Sequence, residues 1–198
     1  MLVLAADTSL PILSVALLNG DALIGAMAME GRGSRNEKLL PSVDWLLTEN
    51  SIDRKDIELF AVTRGPGSFT GVRIGLATLQ GLAVALGRPI CAMSTHEAIA
   101  HGMRGRVAVR DDAGRGEFYV SVFEDGREVI APHLAQEVDE ANIVDVADFL
   151  QRDNVALRCG RRAIEIVQRG EGDRYRDVTP IYVRLAEAEV KLRQKQNA

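Results

Sequence analysis

Short apolar runs, each followed by turn-forming residues, dominate the beginning of the chain. Residues 2–6, 13–18 and 22–29 are such runs, and apolar runs of this length bounded by polar residues or glycine predict strands. The second and third runs are separated by Asn19-Gly20, a dipeptide typical of a two-residue hairpin turn. The pattern therefore predicts two antiparallel hairpins at the start of the protein.

After a glycine-rich loop, the apolar residues recur at helical spacing instead of in short runs. The sequence from Ser34 to Glu37 fits a capping box, and a helix over 35–49 is predicted with five apolar residues facing inward: Leu39, Leu40, Val43, Leu46 and Leu47. Further along, the same rules predict strands over 59–63 and 89–93, a long helix over 70–87 and a short helix over 95–101.

The second half gives weaker signals. Strands are predicted over 107–110, 117–123 and 129–131, with a turn at Asp125-Gly126, and helices are predicted over 140–151, 161–169 and 185–195. The order of elements indicates an α/β protein whose mixed sheet begins with antiparallel hairpins. We expect two units, residues 1–101 and a smaller unit at 102–198.

Composition narrows the class of protein. Hydrophobic residues make up 46% of the 198 residues, and 24 basic against 28 acidic residues give a net charge of −4. A core can therefore be buried, but the basic field of a free-standing nucleic-acid-binding domain is missing. Cys91 and Cys159 lie in apolar segments and are expected to be buried free thiols in a reducing cytosol.

A cytoplasmic location is expected. The N-terminus has no basic region and reaches Asp7 too early for a signal peptide. The longest apolar stretch, residues 70–87, contains an arginine, a glutamine and four glycines, which makes it a poor candidate for a membrane span.

Two polar segments follow predicted strands and are candidates for binding phosphate. In Asp7-Thr8-Ser9, the aspartate could hold a metal-bound phosphate, or the segment could form a turn capped by its side chains. The sequence RGPGSFTG at 64–71 joins a strand to a helix N-terminus. Its glycines either let backbone N–H groups approach an anion or permit a strained connection. The residues alone leave both interpretations open.

The helix predicted over 70–87 is apolar on two opposite faces, of which one carries small residues such as Ala77 and Gly81. A helix that is apolar all round must be buried on both sides. In the preceding helix, Trp45 lies roughly 150° from the inward-facing residues and is expected to point outward, as tryptophans in interfaces do. We therefore expect a partner to cover part of these two helices.

The histidines do not indicate a metal site. His96 and His101 are separated by about 140° around a helix, whereas a zinc-binding pair at four-residue spacing shares one face. His133, beside a proline, is expected to be solvated. Neither a P-loop nor a G-x-S-x-G motif occurs in the sequence. We expect no metal and no cofactor.

Five motifs occur together in a fixed order: AADTS at 5–9, LLP at 39–41, RGPGSFTGVRIG at 64–75, DAGRGEFY at 112–119 and YVR at 182–184. The set resembles the TsaB (YeaZ) family of bacterial proteins, and the glycine-rich motif is shared with their catalytic relative TsaD. The similarity is strong over residues 1–120 and weak from about 130 to 180. The resemblance implies an actin-like (ASKHA), duplicated ribonuclease H-like fold with a reduced second half.

The resemblance also implies a function. Such a protein is a non-catalytic scaffold that dimerises with a TsaD-like catalytic subunit, in a complex with a TsaE-like ATPase, for threonylcarbamoylation of the adenosine next to the anticodon in tRNA. The tRNA would be contacted through the complex only, and no membrane is involved. Without the partner, an exposed apolar helix face can pair with a second copy of the chain.

The resemblance assigns roles to two groups of residues. The residues implied to bind the partner are Arg35, Leu39, Trp45, Val72, Ile74, Ala77, Gly81 and Val84. The residues implied to form a degenerate nucleotide or phosphate site are Asp7, Thr8, Ser9, Gly65, Gly67, Ser68 and Gly71.

Two enzymatic alternatives remain open. An actin-like, ATP-dependent phosphotransferase would use Asp7 and the loop at 65–71, but no glycine-rich segment for the adenosine is evident, and Gly160 is a poor substitute for one. A metallopeptidase is the weaker alternative, because His96 and His101 do not match the histidine pair with which TsaD holds its metal.

Overall fold

The computed structural model describes residues 1–30 and 35–184, with the backbone alone of Arg35 and Asn36, and it contains two β-sheets. In chain order the elements are β1 (Leu2–Asp7), β2 (Ile12–Asn19), β3 (Ala22–Glu30), α1 (Arg35–Glu49), β4 (Leu59–Thr63), α2 (Phe69–Leu86), β5 (Ile90–Met93), α3 (Thr95–Ala100), β6 (Arg106–Gly114), β7 (Glu117–Glu124), β8 (Arg127–Ala135), β9 (Ile143–Asp145), α4 (Val146–Leu150) and α5 (Val155–Gln168). Short 3₁₀ turns occupy Arg54–Asp56 and Gly172–Tyr175.

The first sheet has the strand order β3-β2-β1-β4-β5. β2 pairs antiparallel with both β1 and β3, whereas β4 pairs parallel with both β1 and β5. The two predicted hairpins are therefore confirmed, and Gly20 in the second turn has the positive φ of +55° that this turn favours. Every residue of β1 and β4 is buried, because both faces of these central strands are covered.

The second sheet has the order β8-β7-β6-β9, and the turn predicted at Asp125-Gly126 joins β7 to β8. The prediction of one helix over 140–151 is wrong. Ile143 lies opposite Ala108 in a short strand parallel to β6, and the helix begins only after it. The β-branched residues of this strand favour extended backbone, and the Asp145 side chain then caps α4 by accepting a hydrogen bond from the Ala147 N–H.

α5 begins at Val155 rather than at residue 161, because the Asn154 side chain caps it by accepting a hydrogen bond from the Leu157 N–H. Gly160 brings this helix close to the first sheet: a Cβ at Gly160 would lie only 2.5 Å from Leu18 Cδ1. Close packing therefore accounts for this glycine. The helix predicted over 185–195, and the serine of the predicted capping box, lie outside the described residues.

Two buried clusters lie on the two faces of the first sheet. One contains Leu4 and Phe60 together with the inward residues of α1 and α2. The other joins Ala5 to Cys159 of α5 and to Phe123 of the second sheet. Residues from both halves of the chain therefore share a core. The division at residue 101, which falls between α3 and β6, stays a prediction.

α2 is, within the described part of the chain, the one helix long and apolar enough to cross a membrane, with a mean hydropathy of 1.4. Its inward residues, among them Leu76 and Leu79, are buried against the first sheet. A core helix passes the same test of length and composition, so this result is weak support for a membrane span.

Candidate functional site

The polar residues at the end of β1 are deeply buried. Asp7, Thr8 and Ser9 are each at most 1% exposed. Asp7 Oδ1 accepts hydrogen bonds from Ser9 Oγ at 2.6 Å, from the Ser9 N–H at 3.2 Å and from Thr63 Oγ1. Ser9 Oγ also lies 2.9 Å from Thr95 Oγ1. These contacts agree with a turn capped by its own side chains.

Burial raises the pKa of Asp7 above its ordinary value of 3.8, and the hydrogen bonds from Ser9 and Thr63 only partly oppose this effect. The second carboxyl oxygen, Oδ2, is buried without a hydrogen-bond partner among the described residues. An ionised carboxylate is costly in such a place, so burial favours the neutral acid. Asp7 is thus held by its own neighbours through one oxygen, and its assignment to a phosphate site stays a prediction.

Replacing Asp7 by asparagine should stabilise the protein increasingly as the pH rises. Because the folded pKa lies above the unfolded pKa, the wild-type protein loses stability as the pH rises through this interval, by about 1.4 kcal/mol for each pH unit between the two values. Asparagine keeps the accepting oxygen and cannot ionise. Urea unfolding at several values between about pH 4 and pH 8 measures the difference.

Asp7→Leu is the matched control, because it removes both the charge and the acceptor. It should be less stable than Asp7→Asn throughout the pH range, since the Ser9 and Thr63 hydroxyls then lose a buried partner. A difference between Asp7→Asn and wild type that does not change with pH would contradict the raised pKa.

The glycine-rich connection from β4 to α2 packs directly against the polar residues that follow β1. The Ser68 N–H donates to the Ser9 carbonyl at 2.7 Å, and Thr8 Oγ1 donates to the Gly71 carbonyl at 2.6 Å. Ser68 Oγ in turn accepts from the Gly71 N–H and caps α2. The two segments predicted to hold phosphate are thus brought together, and these groups bond to each other.

Close approach between the two segments depends on glycine. Gly67 has a φ of +148°, and a Cβ there would lie 2.5 Å from the Ser9 carbonyl oxygen. A Cβ at Gly75 would lie 2.5 Å from Thr8 Oγ1. Of the two interpretations of the loop, a strained connector explains these contacts directly.

A cavity of about 880 Å³ lies between the two sheets and borders this region. Ser68 and Phe69 line one wall, and Asp111 and Tyr119 line the other. Burial raises the pKa of Asp111 to about 6. Two more carboxyl groups, on Glu30 and Asp112, line the cavity, and no lysine or arginine occurs among the described residues that line it.

Such a lining disfavours the phosphates of a nucleotide. Sequence reasoning did not single out Glu30 or Asp111 as cavity residues. Their only signal was position, since Glu30 ends β3 and Asp111 lies in the last part of β6.

α1 and α2 contact each other on one face of the first sheet, and each has an outward apolar surface. On α1, Leu40 is 45% and Trp45 51% exposed; on α2, Val84 is 76% exposed. Ala77 and Gly81 are exposed as well, and Ile74 beside them is half-buried. We call Trp45, Ala77, Gly81 and Val84 the outer helix face. Leu40 is exposed as well, but it lies about 140° from Trp45 around α1.

Two residues assigned to partner binding are buried in the isolated chain, and their assignment stays a prediction. Leu39 is 0% and Val72 is 2% exposed, and both belong to the core beneath the two helices. Leu40, predicted to face inward, is exposed instead, since successive residues of a helix point about 100° apart. For Arg35, the side chain lies outside what the structure describes.

The histidines face different surroundings. His96 is buried, its Nδ1 lies 2.8 Å from Ser121 Oγ, and burial lowers its pKa to about 3. His101 Nδ1 lies 3.4 Å from a carboxylate oxygen of Glu165. His133 is exposed, as predicted. Across residues 1–30 and 35–184, no group of three or more His, Cys, Asp and Glu side chains could hold a metal ion.

The two cysteines are buried free thiols, as predicted. Burial raises the pKa of Cys91 to about 12, and the pKa of Cys159 is raised as well. Both thiols are therefore poor nucleophiles at neutral pH.

Comparison with known proteins places this architecture in a family. The family model described as TsaD, tRNA N6-adenosine threonylcarbamoyltransferase, matches residues 33–165. The tRNA threonylcarbamoyladenosine biosynthesis protein TsaB of Bacillus subtilis (strain 168) is 33% identical over 154 residues, which cover 76% of this chain and 65% of that protein. The protein of the same name from Escherichia coli (strain K12) is 37% identical over 129 residues, 63% of this chain and 55% of that protein.

Solved structures agree with this result. YeaZ from Pseudomonas aeruginosa has a TM-score of 0.72 at 29% identity, over 91% of this chain and 99% of that one. An uncharacterised protein with similarity to peptidase YeaZ, also from Pseudomonas aeruginosa, has a TM-score of 0.74 at 27% identity, over 92% of this chain and 99% of that one.

The two mixed sheets, their helices and the polar segment after β1 define an actin-like protein with a duplicated ribonuclease H-like fold, as predicted. Within that class, the chain belongs to the TsaB (YeaZ) family. Its matched segments span 65% and 55% of the two curated relatives.

Proposed function

We propose that this chain is a non-catalytic scaffold in the synthesis of threonylcarbamoyladenosine in tRNA, and that it acts by dimerising with a TsaD-like catalytic subunit. The outer helix face carries the proposal. It contains an exposed tryptophan on α1 and, on α2, a largely exposed valine together with two small residues, Ala77 and Gly81. An apolar surface of this kind is typical of a protein interface.

The small residues suit a helical partner. Gly81 meets no atom within 4 Å of a Cβ position, so the backbone of α2 is open to close approach by a second helix. The TsaD family model matches residues 33–165 of this chain, a range that contains both helices. This match supports the proposal, because a TsaD-like subunit then carries segments related to α1 and α2 that can pair with them.

The buried polar region supports a role without catalysis. Asp7 is enclosed, and the residues that follow it, Thr8 and Ser9, are hydrogen-bonded to the segment that begins α2. The adjacent cavity carries carboxyl groups. These features favour a scaffold over an ATP-dependent phosphotransferase. The net charge of −4 fits contact with tRNA through the complex alone, in the cytoplasm and together with a TsaE-like ATPase.

Reconstitution tests the proposal. The TsaD-like and TsaE-like proteins of the same organism, supplied with tRNA, ATP and the threonylcarbamoyl adenylate, should modify tRNA only when this chain is present. Nucleoside analysis of the tRNA measures the product, and gel filtration measures the heterodimer. Full modification without this chain, or modification by this chain without the TsaD-like subunit, would overturn the proposed role.

A further inference from the structure

The last described segment of the chain, residues 177–184, lies against the connection between β4 and α2. We call this segment the strap. Arg64 Nη1 donates to Asp177 Oδ2 and to the Thr179 carbonyl, both at 3.2 Å, and the Ile181 N–H donates to the Arg64 carbonyl at 2.7 Å. The Ile181 carbonyl oxygen lies 2.9 Å from the position of a Cβ on Gly65. The strap therefore fits closely over this loop.

The strap continues onto the first turns of α2. The ring of Tyr182 lies 4.9 Å from that of Phe69, between centroids, and its hydroxyl accepts a 2.6 Å hydrogen bond from Arg73 Nε. The Arg73 guanidinium in turn lies over Phe69, 3.7 Å from the ring centroid. Stacking, a cation–π contact and a hydrogen bond thus act together here.

The strap then reaches the second sheet through one side chain. Arg184 Nη2 lies 2.5 Å from Glu117 Oε2 and 3.4 Å from the Gly114 carbonyl oxygen, at the turn between β6 and β7. Gly114 follows Ala113, which lines the large cavity on one side, while Phe69 lines it on the other. The strap therefore joins the two walls of the cavity.

We propose that the strap is a latch that ties the two walls of the cavity together, and that release of Arg184 from Glu117 lets these walls move apart. The two ends of the strap differ in strength. The end at Arg64 and Tyr182 is held by several contacts, whereas Arg184 and Glu117 have side chains that are 25% and 32% exposed. This ion pair and a 3.4 Å contact with the Gly114 carbonyl oxygen hold the Arg184 end. Because these contacts are fewer than those at the other end, the Arg184 end releases first.

The proposal does not depend on the function proposed above, because it concerns the fold of the isolated chain. A latch at the junction of two packed units can bias their relative position through small changes in contact energy. It also links the cavity to α2, since the same segment holds Phe69 and Arg73.

Hydrogen exchange of the full chain tests the latch. In Arg184→Ala, the amide groups on both walls of the cavity, at 65–69 and 112–119, should exchange about three- to fivefold faster, as expected for loss of a partly exposed ion pair. Amide groups of β1 should not change, which separates opening of the cavity from global unfolding. The reversed pair, Arg184→Glu with Glu117→Arg, should restore slow exchange.

Arg176→Ala is the matched control, because Arg176 forms an ion pair with Asp173 in the same part of the chain, with side chains 72% and 86% exposed. It should leave both walls unchanged. Faster exchange confined to the strap itself, or equal effects of Arg184→Ala and Arg176→Ala, would refute the latch.

Discussion

Gly81→Arg should abolish the heterodimer with a TsaD-like subunit and leave the fold of this chain intact. A Cβ at Gly81 meets nothing within 4 Å, so an arginine can extend into solvent when the chain is free. In the complex its charge would be buried without a partner, which costs several kcal/mol, and its bulk would force the helices apart. Such a loss weakens binding by roughly a hundredfold or more.

Ala77→Arg and Ala131→Arg form a matched pair for this prediction. Both alanines are exposed, but Ala77 belongs to the outer helix face and Ala131 lies on β8 of the second sheet. Circular dichroism checks the fold, gel filtration checks pairing, and nucleoside analysis checks tRNA modification. If Gly81→Arg and Ala77→Arg pair as well as Ala131→Arg does, the partner binds elsewhere. If they lose a self-complex that the wild-type chain forms but still pair with the TsaD-like subunit as Ala131→Arg does, the outer helix face is a homodimer surface instead.

Gly67→Ala should destabilise the protein by about 3 kcal/mol, for two reasons that add. The φ of +148° is unfavourable for any residue with a Cβ, and that Cβ would lie 2.5 Å from the Ser9 carbonyl oxygen, a backbone atom that cannot rotate away. Urea unfolding followed by circular dichroism measures the change. The Ser68 N–H bond to the Ser9 carbonyl would be strained at the same time.

Gly20→Ala separates the two reasons. Gly20 also has a positive φ, +55°, but a Cβ there meets nothing within 4 Å. Its loss of stability should be only about 1 kcal/mol, the cost of the left-handed conformation alone. Equal effects of the two substitutions would mean that the contact between the glycine-rich loop and Ser9 adds nothing to stability.

Local sequence patterns were sufficient to predict the strands of the first sheet. The strand at 59–63 has the predicted bounds. The turn predicted at Asn19-Gly20 also forms, but its two loop residues are Gly20 and Asp21, because Asn19 still pairs with Ala22. β9 was missed because a three-residue strand has too little pattern of its own and is defined by pairing with β6. The start of α5 was predicted too late because Gly160 does not favour a helix by itself. Its place in the helix is explained only by the close packing against Leu18.

The site was harder to predict for a physical reason. A glycine-rich sequence indicates that the backbone approaches another group closely. It does not indicate whether that group belongs to a ligand or to another part of the chain. Here Gly67 and Gly75 make room for Ser9 and Thr8. In the same way, helical spacing groups Leu39 with Leu40 but does not fix the rotation of α1 on the sheet, which buries the first and exposes the second.

The position of α5 has a consequence for how the chain folds during synthesis. All strands of the first sheet have left the ribosome soon after Met93, yet the helix that covers one of its faces ends only at Gln168. Until then, apolar residues such as Ala5 and Leu18 have no cover from α5. Domains generally fold as units while the chain emerges, but this sheet must wait for most of the chain. A ribosome that pauses between β5 and α5 would therefore hold a nascent chain prone to aggregation and dependent on chaperones.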